Sequence, residues 1–165
     1  MNLSALDLVI RVSRATAGAC EVPAGSNAGP YVERIQRLTG LKKGDPWCAC
    51  EVRNVGYSAL GPLWPVPAIG GCQYLSEWAA EHGILETLPA IGDIFLLWEK
   101  VGGTYRFAHT GFIIGQVTAA GWPTHEGNTS GGGSREGWLV AERTRLFKAE
   151  DRFVRWVNLL KNGDH

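Results

Sequence analysis

The sequence has no surplus of either charge: sixteen Lys and Arg balance sixteen Asp and Glu over 165 residues. General nucleic-acid binding normally draws on a basic excess, and so does simple attraction to an anionic membrane surface; the balance argues against both. No stretch approaches the roughly 20 apolar residues of a membrane helix, so no membrane insertion is expected. The opening segment, Met1-Asn2-Leu3-Ser4-Ala5-Leu6-Asp7, lacks the basic start of a secretory signal. A product made in the cytoplasm and acting beyond the membrane is therefore expected to be carried out by other means. Cysteine is sparse, at four residues: Cys20, Cys48, Cys50 and Cys72. Cys48-Ala49-Cys50 has one intervening residue where paired zinc ligands usually have two to four, and no second pair follows. No metal is expected. Internal repeats and long low-complexity linkers are also missing.

What is present describes a folded chain. Hydrophobic residues make up 45% and charged residues 19%, which suits one domain spanning 1–165. The apolar spacing of Leu3, Leu6, Val9 and Ile10 predicts a helix over 3–16, stopped by Gly18. A turn-rich loop over 21–30 leads to a second helix from Tyr31, closed by Gly40. A third helix is predicted from Pro46 to Ala59 and a fourth from Gln73 to Glu81, separated by a Pro/Gly-rich loop over 61–71. After Pro89 the pattern turns to strands, predicted over 93–98, 105–114, 122–128, 138–141 and 153–157. Gly102-Gly103 makes a hairpin of the first two, and 129–137 is a loop. Helices first and antiparallel strands second predict an α+β domain.

Asp45-Pro46-Trp47-Cys48 is the most informative stretch. Asp45 suits an N-cap and Pro46 the first helical position, which puts Cys48 in the first turn. Unpaired backbone N–H groups and the positive helix end favour a thiolate there. Cys50 lies about 200° further round the helix, so the two cannot share a cleft. A nucleophilic cysteine needs a base. His109 shares a strand face with Gly111 and Ile113 in an apolar strand; His125 is the rival. A group must then orient the imidazole, and Glu126 and Asn128 are both candidates. Each feature has a plainer reading as a packed cysteine, a buried histidine or a polar strand end.

Asp45-Pro46-Trp47-Cys48-Ala49, Gly92-Asp93-Ile94, His109-Thr110-Gly111 and Glu126-Gly127-Asn128-Thr129-Ser130, in that order, resemble a CHAP domain, a cysteine, histidine-dependent amidohydrolase/peptidase. Glu21-Val22-Pro23, Gly25-Ser26-Asn27, Gly133-Ser134-Arg135-Glu136-Gly137 and Arg143-Thr144-Arg145 are similar to one phage and bacterial branch of it. The resemblance covers about 20–145. It implies a papain-like fold, with N-terminal helices packed on a C-terminal antiparallel β-sheet, and hydrolysis of an amide bond in bacterial peptidoglycan. The bond would lie in a stem peptide or cross-bridge, or be the N-acetylmuramoyl-L-alanine link. By position it implies Cys48 as nucleophile, His109 as base, Glu126 as the group orienting the histidine and Asn128 as a fourth polar member, with no cofactor. The sequence departs from the pattern at Cys50-Glu51-Val52, where a small then apolar run is usual, and at Lys42, where a papain-like enzyme carries the glutamine of the oxyanion hole.

Trp47, Trp64 and Trp122 are candidates to stack on sugar, against core packing. Glu51, about 60° round the helix from Cys48, is expected to find a basic partner or to reach the cleft rim, where it would recognise an ammonium group. A papain-fold hydrolase acting on a non-wall peptide is an alternative, as is an inactive binding or interaction module. The roughly 20 residues after Arg145 are too few for a wall-binding domain. That suits a compact lysin, a toxin carried by a secretion system, or a domain of a larger particle. The delivery partner, such as a holin or secretion system, and any immunity protein are not legible in the residues.

Overall fold

A computed structural model describes residues 3–130 and 137–161. Five α-helices and six strands follow one another as α1 (Ala5–Thr16), α2 (Pro30–Arg37), α3 (Cys48–Leu60), α4 (Cys72–Glu81), β1 (Leu85–Glu86), β2 (Ile94–Val101), β3 (Thr104–Ile113), β4 (Trp122–Thr129), β5 (Leu139–Arg145), β6 (Arg152–Val154) and α5 (Val157–Lys161). The strands form one antiparallel sheet in the order β1-β6-β2-β3-β4-β5. This is the α+β class, with four helices preceding the main strands. Among the described residues no helix is long and apolar enough to cross a membrane.

Local chemistry explains most of the element ends. Ser4 and Asp7 make a reciprocal capping box that opens α1. Pro30 occupies the first turn of α2, where its missing N–H costs nothing. The β2–β3 hairpin turns at Gly102-Gly103, both at positive φ (57° and 89°), as a tight two-residue turn demands. Several elements differ from expectation, among them the strand expected over 138–141, which runs on to Arg145. The third helix begins at Cys48 rather than Pro46, because Asp45 caps something else: its carboxylate accepts from the Lys42 N–H at 2.8 Å and closes the 42–45 turn. The last strand stops at Val154, and the chain then turns so that the buried Trp156 donates its indole N–H to the Gly92 carbonyl at 2.7 Å. The two-residue β1, too short to carry a period, pairs with β6. The loop predicted over 129–137 falls largely outside the described residues, as do most of Gly133-Ser134-Arg135-Glu136-Gly137.

One face of the sheet packs Ile94, Leu96, Phe112, Ile114 and Val154 against Val9 of α1, Val52 and Val55 of α3, and Leu75 and Ala79 of α4. Trp64 belongs to this core: it lies 4.8 Å from the Trp156 ring and against Gly56, where a Cβ would collide with the indole. The opposite face carries a smaller cluster of Phe95, Leu97, Ile113 and Phe153, on which Trp122 and Phe147 pack. Helix α3 runs across β3 and β4. Those strands hold register at Phe112–His125 and Ile113–Thr124, and β4 bulges against β5 between Glu126 and Thr129. The bulge puts Asn128 at φ 54°, so Glu126 and Asn128 do not continue a simple alternation.

Candidate active site

Cys48 is the first residue of α3, preceded by Trp47 with no side-chain cap on the helix. The leading N–H groups of a helix have no partner within it, and here they begin at the nucleophile candidate. Cys48 lines an open cavity of about 330 Å³ together with Asp45, Gly71, Cys72, Tyr74, Arg106, Ala108 and Asn128. Its sulfur lies 3.7 Å from that of Cys72, the first residue of α4. The Cys72 thiol next to it, then His109 and the Ala49 amide, pull the Cys48 thiol well below its usual range against the opposing effect of burial. Cys50, by contrast, is buried next to the Thr39 hydroxyl at 3.1 Å, and burial pushes its thiol up to about 12. The two cysteines diverge as their helical spacing predicts.

His109 is fully buried and bonds Glu126 through Nε2 at 2.8 Å, while Nδ1 has no hydrogen-bond partner. Burial alone would lower its pKa. Interaction with Cys48 and Glu126 overcomes this and raises it to about 9. The imidazole thus has one nitrogen fixed by a carboxylate and the other uncommitted, with Cys48 as its other interacting partner. Gly111 makes the arrangement possible, because a Cβ there would meet the His125 carbonyl and, at 3.1 Å, the Glu126 side chain.

Glu126 is held on three sides. Arg145 donates to both carboxylate oxygens, from Nε to Oε1 at 2.8 Å and from Nη2 to Oε2 at 2.5 Å. Thr124 donates to Oε1 at 2.6 Å. Burial pushes the carboxyl up, but Arg145 and His109 outweigh it and hold the group well below the carboxylate range. Of the two histidines, His109 meets Glu126 and His125 meets Glu51, and the group on the His109 ring is Glu126 rather than Asn128. Asn128 sits on the cavity wall, 2% exposed, with its Oδ1 unpartnered. Sequence reasoning gave no role to Arg145, Thr124 or Cys72. The only signals were Arg145 at the end of an alternating Arg143-Thr144-Arg145 strand, and Cys72 following Gly70-Gly71 at a helix start.

Four candidate substrate contacts are corrected. Trp47 is fully buried and donates its indole N–H to Glu21 at 2.8 Å, so it has no face left for a sugar. Trp64 is core, as described above. Trp122 packs on the sheet face bearing Phe95 and Ile113, away from the residues that line the cavity. Glu51, 1% exposed, does not reach the rim, and among the described residues its basic neighbour is an imidazole, that of His125, rather than a Lys or Arg. It accepts from Thr16 and Tyr31, each at 2.6 Å, and from Asn54 at 3.4 Å, and it meets His125 Nε2 at 3.2 Å. Burial and Glu51 raise the Tyr31 phenol far above its usual value, which keeps it a donor. This cluster joins α1, α2, α3 and β4. Glu51→Ala is expected to destabilise the fold by about 3 kcal/mol, because the half-buried Thr16 and Tyr31 hydroxyls and the buried Asn54 amide lose a shared acceptor at once; thermal unfolding measures it, and a loss within about 0.5 kcal/mol, the range of a surface change, would refute it.

Among the described residues no group of three or more His, Cys, Asp or Glu is placed to hold a metal ion. Comparison with family models, with curated proteins and with solved structures finds no match.

The Cys48–His109 pair sets a pH expectation. The thiolate–imidazolium form exists above the lowered value of Cys48 and below the value near 9 of His109. Alkylation of Cys48 by iodoacetamide is expected to be already fast well below pH 8.5, the approximate value of an ordinary cysteine. If the imidazolium serves as a proton donor, any activity that depends on it should fall as pH rises through about 9. An alkylation midpoint at or above the ordinary value would show that no ion pair forms.

Proposed function

We propose that the chain is a CHAP-type, papain-like cysteine amidohydrolase that cleaves an amide bond of bacterial peptidoglycan. The observation that carries the proposal is Cys48 at a helix N-terminus on the wall of an open cavity, together with His109, held by Glu126 through Nε2 at 2.8 Å with its Nδ1 unpartnered; the opposite pulls on the Cys48 thiol and the His109 imidazole support their pairing. The wall substrate rests on the motif resemblance over 20–145.

In the proposed mechanism, the Cys48 thiolate attacks the amide carbonyl carbon. The developing oxyanion is met by the Cys48 backbone N–H, one of the unpaired donors opening α3. His109, protonated on Nδ1, gives that proton to the leaving amine. A water then enters, loses a proton to His109 and releases the acyl group from sulfur. Glu126 keeps the imidazole oriented and offsets its positive charge, and Arg145 acts through Glu126 as a positioning residue. No step calls for a metal or organic cofactor. Incubation with purified peptidoglycan, with mass spectrometry of the soluble products, tests the proposal and identifies the bond. New amine and carboxyl ends on stem peptides or cross-bridges, or peptides freed from muramic acid, are expected. Unchanged peptidoglycan from a protein with alkylatable Cys48 would reject the wall substrate.

A further inference from the structure

Cys48 and Cys72 open two different helices, yet their sulfurs are in contact at 3.7 Å. Both are nearly buried, at 5% and 7% exposure, and both line the same open cavity, so a small solute can reach them. The hydrolytic mechanism uses only one. Cys50 sits on the same helix as Cys48 but lies against Thr39. The two cavity thiols also differ in character. Its contact with Cys48, together with burial, holds Cys72 well above the usual thiol value, while Cys48 is drawn well below it. A thiolate touching a protonated thiol has the form of an attacking and a resolving pair.

We propose that Cys48 and Cys72 form a site of reversible oxidation, in which a small hydroperoxide oxidises Cys48 and Cys72 resolves the product as an intramolecular disulfide. The Cys48 thiolate attacks the terminal oxygen of the hydroperoxide. The O–O bond breaks, and the alkoxide or hydroxide leaves and takes a proton to become alcohol or water. Cys48 becomes a sulfenic acid. The Cys72 sulfur then attacks the Cys48 sulfur: an S–S bond forms, the S–O bond breaks, and hydroxide leaves with the Cys72 proton as water. The two thiols supply the two electrons that reduce the hydroperoxide. The sulfurs close from 3.7 Å to a bond of roughly 2.0 Å. The disulfide withdraws the nucleophile and shields it from irreversible oxidation until an external thiol reduces it by exchange. Loss of turnover on oxidation rests on the proposed hydrolase; the cross-link does not.

The test treats the reduced, reductant-free chain with an equivalent of hydrogen peroxide and reads intact mass, free thiols and peptide maps. Expected are the loss of two hydrogens, the loss of two free thiols and a linked peptide joining Cys48 to Cys72. Cleavage of peptidoglycan should fall at least about tenfold and return with dithiothreitol. Cys50→Ala should cross-link as the native chain does. In Cys72→Ser an excess of hydrogen peroxide should carry Cys48 past the sulfenic acid to sulfinic or sulfonic acid, which dithiothreitol does not reverse, whereas the native chain under the same excess should stop at the reducible disulfide. A native chain in which Cys48 gains oxygens without cross-linking, pairs with Cys50 or stays unoxidised would overturn the proposal, and these readouts need no variant to fold. A cross-link in a chain whose reduced form leaves peptidoglycan intact would uphold the oxidation site and reject the hydrolase.

Discussion

Cys48→Ala is expected to lower turnover on peptidoglycan by about 10,000-fold or more, with the fold retained. The size follows from the proposed role of Cys48 as nucleophile: without the sulfur that mechanism forms no covalent intermediate, and only binding and the helix N–H groups remain. Retention of the fold follows from the surroundings. Cys48 is 5% exposed and first in its helix, so alanine leaves the backbone geometry free and removes one atom beside an existing cavity. The change does not leave His109 as an unpaired buried cation. Interaction with Cys48 helps to raise the imidazole; without it, burial favours the neutral ring, which still bonds Glu126. A second substitution, His109→Ala, is expected to add little to the loss in turnover, since residues acting as a unit are not additive. Comparable turnover in Cys48→Ala and the native chain would remove Cys48 from the mechanism.

Much of this arrangement was legible because it depends on short-range patterns. The helical spacing of Cys48 and Cys50 separates one thiol facing the cavity from one packed on Thr39. Strand alternation places His125 and Glu126 on opposite sides of β4, and each does find a different partner, Glu51 and His109. The start of α3 is less legible, because Asp45 has a local competitor in the Lys42 N–H, three residues back, and bonds it.

The contacts that were not legible are long-range. Glu51 and His125 are 74 positions apart, and the Thr16 and Tyr31 hydroxyls that share the carboxylate come from two further helices. A carboxylate on a helix without a basic neighbour one turn away reads as exposed; only tertiary packing supplies three neutral donors and an imidazole. Trp47 and Trp64 misled for a related reason. Beside cysteine and proline-rich loops they resemble cleft walls, but Glu21 satisfies one indole and Gly56 admits the other to the core. Glu21 and Asp93, both within the segments carrying the resemblance, act in scaffolding: Asp93 is buried, accepting from Arg155 at 2.9 Å and from the Ala90 N–H at 2.9 Å.

Arg145→Met is expected to cost about 3–5 kcal/mol of stability, which makes it the strongest test of how the imidazole is held. Glu126 is fully buried, and Arg145 supplies both of its charge-assisted bonds other than that from His109. Methionine fills much of the space but leaves a buried carboxylate with Thr124 and His109 alone. The pH dependence has a definite sign. The native value of Glu126 is depressed below its unfolded value of about 4.3, so its contribution is complete above that pH and is lost as pH falls toward the native value. Without Arg145 the native value rises, and acid unfolding should begin at higher pH. Glu126→Gln should also destabilise, since it removes the carboxylate that meets the Arg145 guanidinium, 17% exposed, and leaves it the weaker attraction of Glu99 and Asp151. The double variant Glu126→Gln, Arg145→Met removes both charges. It should be more stable than the sum of the single losses allows by at least about 2 kcal/mol, as expected for a coupled buried pair. Turnover should nevertheless stay low in the double variant, because the imidazolium has lost its carboxylate whether or not the fold has recovered. Urea unfolding of the four proteins, set beside their turnover, separates the two effects. Additive stabilities would mean that Arg145 and Glu126 do not act as a pair, and turnover recovering with stability would mean that the carboxylate serves the fold and not the histidine.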